Sequence, residues 1–119
     1  MLGFEHPQDH GFLERERRLG FLYRHADGAP LGYGYTSAVG RIGPVAALDP
    51  ALLAPIVGHL LTAVRPNGAS TAWVAGSAGE VVSMLLRAGL RLEGFPALLC
   101  WTRPAVDLTR YVPMTLALL

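Results

Sequence analysis

Lysine is absent from this chain: all ten basic residues are arginine, set against nine acidic ones, for a formal charge of +1. That near balance excludes the strong basic excess by which binders of nucleic acid and of membrane surfaces are recognised. Charge of either sign is scarce, at 16% of residues against about 25% in average proteins. Either the core is large for the size, or a partner covers part of the apolar surface. Cysteine occurs once, as Cys100, which excludes an intrachain disulfide and fits a reducing, cytoplasmic setting. Within Leu98-Leu99-Cys100-Trp101 it reads as a small buried hydrophobe. The longest apolar stretch, Ile42 to Val64, is broken by Asp49 and three prolines, which excludes a membrane span. Met1 to His10 carries Glu5, His6 and Asp9 and has neither the basic start nor the apolar stretch of a signal peptide. A Gly-rich nucleotide loop is missing too.

What is present is 119 residues with 51% hydrophobic content, one domain's worth of chain and too apolar to be disordered. Pro7 to Leu19 suggests a short helix with a polar side, ending near Gly20, on which Arg15, Arg17 and Arg18 alternate with Glu14 and Glu16 as a solvated face. Two aromatic-rich runs, Phe21 to His25 and Leu31 to Thr36, flank Asp27-Gly28, which can supply the left-handed residue of a hairpin turn. In the second run Leu31, Tyr33 and Tyr35 share one face. Gly32 and Gly34 lie on the other, leaving it open to close approach.

The run Arg41 to Ala47 reads as a third strand. Its Pro44 cannot donate to a ladder, so the strand is expected at an edge, at a bulge or where two strands separate. Asp49-Pro50 supplies a helix cap and first position for a body from Ala51 to Val64, closed by Pro66-Asn67-Gly68, with Pro55 marking a tight lead-in turn if the helix proper starts there. Thr71 to Ala75 is a fourth strand. A helix from Glu80 to Ala88, apolar on nearly all sides and so expected to be well buried, stops at Gly89. Arg91 to Thr102 reads as a fifth strand, and Tyr111 to Leu119 as an extended apolar tail. Strand-helix-strand units with apolar strands imply parallel pairing and right-handed crossovers.

This order resembles the C-terminal part of the GNAT superfamily of acetyl-CoA-dependent N-acetyltransferases. The resemblance rests on Leu31-Gly32-Tyr33-Gly34-Tyr35, on Gly40 to Ala47, and on Leu85 to Leu92. The chain also resembles the second half of bacterial proteins with two GNAT-like units, through Phe95 to Leu99 and Arg110 to Pro113. The resemblance implies one α/β (α+β) domain over residues 1–119, a mixed twisted sheet whose N-terminal strand and helices are missing or reduced to Gln8 to Leu19. A ferredoxin-like ligand-binding domain is the rival. It would pair every strand antiparallel, whereas the GNAT reading makes Arg41–Ala47 and Thr71–Ala75 parallel neighbours.

By the same resemblance, acetyl-CoA would lay its pantetheine arm along the backbone of the strand Arg41 to Leu48. Val45, Ala46 and Ala47 would hold it, and their amides would stabilise the oxygen of the tetrahedral intermediate. The pyrophosphate would rest at the start of the following helix, over Ala54, Val57 and Gly58, where free amides and the dipole attract anions. Leu52, Pro55 and Val57 occupy the places of the family's phosphate loop, whose pattern is Arg or Gln, two residues, Gly, any residue, then Gly or Ala. Each change disfavours a diphosphate, as does the charge of Asp49. Leu85 and Ala78 occupy the places of the family's acid tyrosine and cofactor-holding asparagine, and Leu31 to Ser37 holds no carboxylate to serve as base. No catalytic residue is assigned. Tyr33 and Tyr35 are the titratable candidates for substrate contact, if they do not simply pack across the sheet.

His6, Asp9 and His10 have metal-like spacing but read as solvated. His59 reads as a hydrogen-bonded core or interface histidine, and Ser77 as a cap for the helix after it. Two functional classes stay open: acetyl transfer from acetyl-CoA to an amine, and an inactive GNAT-like binding or dimerisation module. The short, apolar chain is expected to form a homodimer, through the tail and Phe95–Trp101, or to sit against an N-terminal GNAT-like partner unit.

Overall fold

A computed structural model describes residues 18–94, 96–100, 102–103 and 106–115. Strand β1, Leu19–Arg24, and strand β2, Pro30–Thr36, form the expected antiparallel hairpin. Its turn depends on Gly28, whose φ of +92° suits a residue without a Cβ. Asp27 fixes the same turn by accepting the Ala29 amide at 2.8 Å. Most of the helix expected from Pro7 lies outside the described residues, and its last residue, Leu19, begins β1. Arg18 is corrected as well. It is 8% exposed, not on a solvated face, and its guanidinium donates to the carbonyls of Gly43 at 2.9 Å and Arg41 at 3.3 Å.

The third strand divides at Gly43-Pro44 into β3, Arg41–Ile42, and β4, Val45–Ala47. Pro44 has no N–H to continue a ladder, and the pieces take different partners. β3 runs parallel to β5, Thr71–Ala72, with Arg41 opposite Thr71 and Ile42 opposite Ala72. This pair excludes the all-antiparallel rival. β4 instead enters a four-stranded antiparallel sheet of order β1-β2-β4-β6, in which β6 is Tyr111–Val112. The class is α+β. The predicted strand Thr71–Ala75 is thus shorter than expected, and its parallel partnership with Arg41–Ala47 covers only the first two residues of each.

Helix α1, Pro50–Ala63, starts as the sequence predicts: Asp49 caps it by accepting the Ala51 amide at 2.8 Å. Pro55 stands inside one continuous helix, so no lead-in turn is needed. Leu53, Ile56, Val57 and Leu60 recur at helical spacing and are buried against the sheet. The glycines of β2 let the helix close in. A Cβ on Gly32 would lie 2.9 Å from Ile56 Cδ1, and one on Gly34 would lie 2.5 Å from Leu60 Cδ1.

Helix α2, Gly79–Arg87, packs on α1 through Val81 and Leu85. It is one-sided rather than buried all round: Val81 and Leu85 are buried in the core while Leu86 is 46% exposed. Ser77 does not cap it. The cap position is Ala78, which makes no side-chain bond. Arg91 to Thr102 is not a strand: its described residues are exposed and unpaired, and Cys100 is exposed rather than buried.

The tail returns to its own sheet. Val112 sits opposite Val45, is 0% exposed and belongs to the core, with Tyr111 half-buried beside it; residues 116–119 lie outside the described set. A turn holds this return in place. Asp107 accepts from Arg110 Nε at 2.8 Å and from Thr109, and Arg110 Nη1 donates to the Leu48 carbonyl at 3.1 Å. The hydrogen bonds from Thr109, with the nearby Arg110 charge, hold the Asp107 carboxyl below the usual carboxylate range. Farther on, the tail crosses Gly43, where a Cβ would meet the Pro113 carbonyl at 2.7 Å.

Candidate functional site

Two concavities adjoin the α1–α2 pair. The larger, about 900 Å³, is an open groove along the outer side of the two helices. Ala51, Ala54, Pro55 and Gly58 form its α1 wall, and α2 faces them with Glu80 and Arg87 among others. The groove exists because those four α1 side chains are short while the inward-facing leucines and valines set the spacing between helices. The smaller, about 310 Å³, lies where the starts of α1 and α2 converge, among Asp49, Ala51, Gly79, Glu80 and Thr109.

The smaller concavity lies at the helix starts but holds none of Ala54, Val57 and Gly58, over which the pyrophosphate was expected; Ala54 and Gly58 line the larger groove. The chemistry of the smaller concavity opposes an anion. The Ala51 amide is bonded to the Asp49 carboxylate and the Leu52 amide to the Asp49 carbonyl at 3.0 Å, while Pro50 and Pro55 have no amide hydrogen. Two carboxylates, Asp49 and Glu80, line the space. Negative charge next to the dipole's positive end stabilises the helices and repels a phosphate.

The expected cofactor residues are dispersed. Ala54 and Gly58 share the groove wall. Val57, one residue away, points into the core and is 0% exposed; it fills the space under α1 rather than crowding a phosphate. Val45, Ala46 and Ala47 are buried, and both backbone edges of β4 are occupied. On one edge β4 pairs with Gly32 to Gly34, and the Leu48 amide donates to the Leu31 carbonyl at 2.9 Å. On the other it pairs with β6, and the Ala47 amide donates to the Arg110 carbonyl at 2.9 Å. The strand does part from its parallel neighbour, as expected, but the chain's own tail fills the opening.

Tyr33 and Tyr35 project from the sheet face opposite α1, with ring centroids 6.2 Å apart in an edge-to-face arrangement. The sheet separates them from both concavities. Leu85, at the family's tyrosine position, is part of the core, and Ala78, at the asparagine position, is buried. Among the described residues, no group of three His, Cys, Asp or Glu side chains is placed to hold a metal, and no helix is long and apolar enough to cross a membrane. His6, Asp9 and His10 lie outside the described residues.

One constellation escaped the sequence reading. His59 is exposed on α1 rather than in the core, and its Nδ1 is 2.7 Å from the Tyr23 hydroxyl. The rings of Phe21 and Tyr23 meet the imidazole edge-on at 5.0 and 5.5 Å. Burial pushes the Tyr23 phenol up to about 12, so it stays protonated at neutral pH. Alternation along β1 puts Phe21 and Tyr23 on the helix-facing side, which was legible. That His59 would stand above them depends on how α1 lies across the sheet. Compared with family models, curated proteins and solved structures, the chain matches none of them.

Proposed function

We propose that this chain is a GNAT-like module that works by binding, as a homodimer or against an N-terminal unit of the same kind, and does not transfer acetyl groups. One observation carries this reading: the β4 backbone, which the resemblance reserves for pantetheine, is hydrogen-bonded along both edges within the chain. To admit acetyl-CoA, β6 would have to leave β4 and expose the wholly buried Val112. The exposed Val112 side chain alone would oppose this by about 1.5–3 kcal/mol. The carboxylates at the helix starts and the leucine in place of an acid tyrosine point the same way. One feature favours the acetyltransferase reading, the groove that carries Ala54 and Gly58. It could hold the outer part of a cofactor, and its lining carries one carboxylate, Glu80, and one guanidinium, Arg87. Calorimetric titration with acetyl-CoA separates the two: no heat at millimolar ligand is expected, and micromolar binding would overturn the proposal.

A further inference from the structure

We infer that two copies of this chain join by reciprocal strand addition, the segment Pro96–Cys100 of each pairing with the free edge of β5 in the other. The inference rests on the homodimer reading above and names its contact.

The acceptor is an incomplete strand. β5 has one ladder partner among the described residues, β3, on one side. The chain continues from it through Trp73 and Val74 with its outer edge open. Alternation places Ala72 and Val74 against the core, while Trp73 faces outward and is 45% exposed. An open edge that ends in an exposed tryptophan is a template for a further strand.

The donor is a strand without a sheet. After the Leu90 amide donates to the Leu85 carbonyl, residues 91–94 and 96–100 make no backbone hydrogen bond. Leu98 is nonetheless 89% exposed and Leu99 42%, in a stretch whose composition alone reads as a buried strand. Pro96 suits the first position of an added strand, where no donor is required, and alternate amides among the four that follow can enter a ladder with β5. Successive side chains point to opposite faces, so one of the adjacent leucines would lie beside Trp73 and the other would extend the core layer beyond Val74.

The occupant is a second copy because the two needs are complementary and the described residues of one chain meet neither. Each copy offers one edge and one segment, and a two-fold axis satisfies both at once. Trp73, Leu98 and Leu99 of each copy together expose roughly 400 Å². That is half of the roughly 800 Å² per partner of a stable interface before the backbone edges and flanking residues are added. The low charge content of the chain agrees with such a covered patch.

The experiment is sedimentation equilibrium of the whole 119-residue chain together with site-resolved amide exchange at the same concentrations. A dimer is expected at high micromolar protein, with alternate amides of residues 97–100 protected and their protection falling on dilution. Leu98→Pro removes an apolar side chain that is 89% exposed in the single copy and, where its amide faces β5, a ladder donor. It should raise the dissociation constant at least tenfold with an unchanged far-ultraviolet spectrum. Trp73→Arg should do the same from the acceptor side. A dimer that is indifferent to both variants, with unprotected amides at 97–100, would overturn strand addition and leave the homodimer standing. A monomer with those amides protected would mean pairing within one chain and would overturn the inference. A monomer with them unprotected would overturn the homodimer too.

Discussion

Replacing Val112 by alanine tests whether the tail belongs to the core. Val112 is 0% exposed, opposite Val45, in a strand of only two residues. The substitution removes two buried methyl groups, at about 0.8 kcal/mol each for transfer. The void they leave, on the order of 50 Å³, adds about 1.2 kcal/mol at 24 cal/mol per Å³. The sum, about 3 kcal/mol, is an upper value because β6 lies near the end of the chain and can relax into the gap; a loss of about 1.5–3 kcal/mol is expected. Urea unfolding followed by tryptophan fluorescence measures it as a lower midpoint at unchanged slope, a shift of about 1–2 M for a slope near 1.5 kcal/mol/M. Val39→Ala, at a side chain 65% exposed, is the control and should stay within about 0.5 kcal/mol. If Val112→Ala also falls within that margin, the tail is not part of the folded core and the closed edge of β4 has no basis.

The glycines of β2 should differ in their response to alanine. At Gly32 the new Cβ would strike the Ala46 carbonyl, which is backbone and cannot turn aside; at Gly34 it would meet the end of the Leu60 side chain. Gly32→Ala is therefore expected to cost about 1–3 kcal/mol and more than Gly34→Ala, while Gly76→Ala, with nothing within 4 Å, should be close to neutral by the same urea assay. Tyr23 should make stability fall at alkaline pH. Burial raises its pKa from 10.0 to about 12, so between those values the unfolded chain has lost a proton that the folded one keeps, and folding weakens as pH rises. Phenolate absorbance at 295 nm should show a phase near 12 that is absent from Tyr23→Phe; the same phase in both proteins would refute the assignment.

The parts of this fold that were legible in the sequence are those fixed within a few residues. Asp27-Gly28 announced the hairpin, Asp49-Pro50 the start of α1 and Gly89 the end of α2, because a cap or a left-handed residue acts on its own turn. Pro44 announced a break in the third strand because a missing N–H ends a ladder whatever the partner. Which strands the two pieces would join was not legible, since β6 reaches β4 across more than sixty residues and contributes only Tyr111 and Val112 to the ladder. Apolar composition misled at Arg91–Thr102, where the chain offers strand-like residues that none of its described strands pairs with. The candidate site was legible to the same degree: Ala54 and Gly58 do share a groove, whereas the closing of β4 by the tail left no local sign in Val45-Ala46-Ala47.

Amide exchange at Ala47 addresses the closed edge most directly. Its N–H points to the Arg110 carbonyl on the β6 side, and the Leu48 N–H points to Leu31 on the β2 side, each at 2.9 Å. Both should exchange far more slowly than free amides, and millimolar acetyl-CoA should change neither rate. An Ala47 amide that exchanges freely while Leu48 stays protected, or one that becomes protected only with acetyl-CoA, would mean that the edge is open and the strand is available to a cofactor.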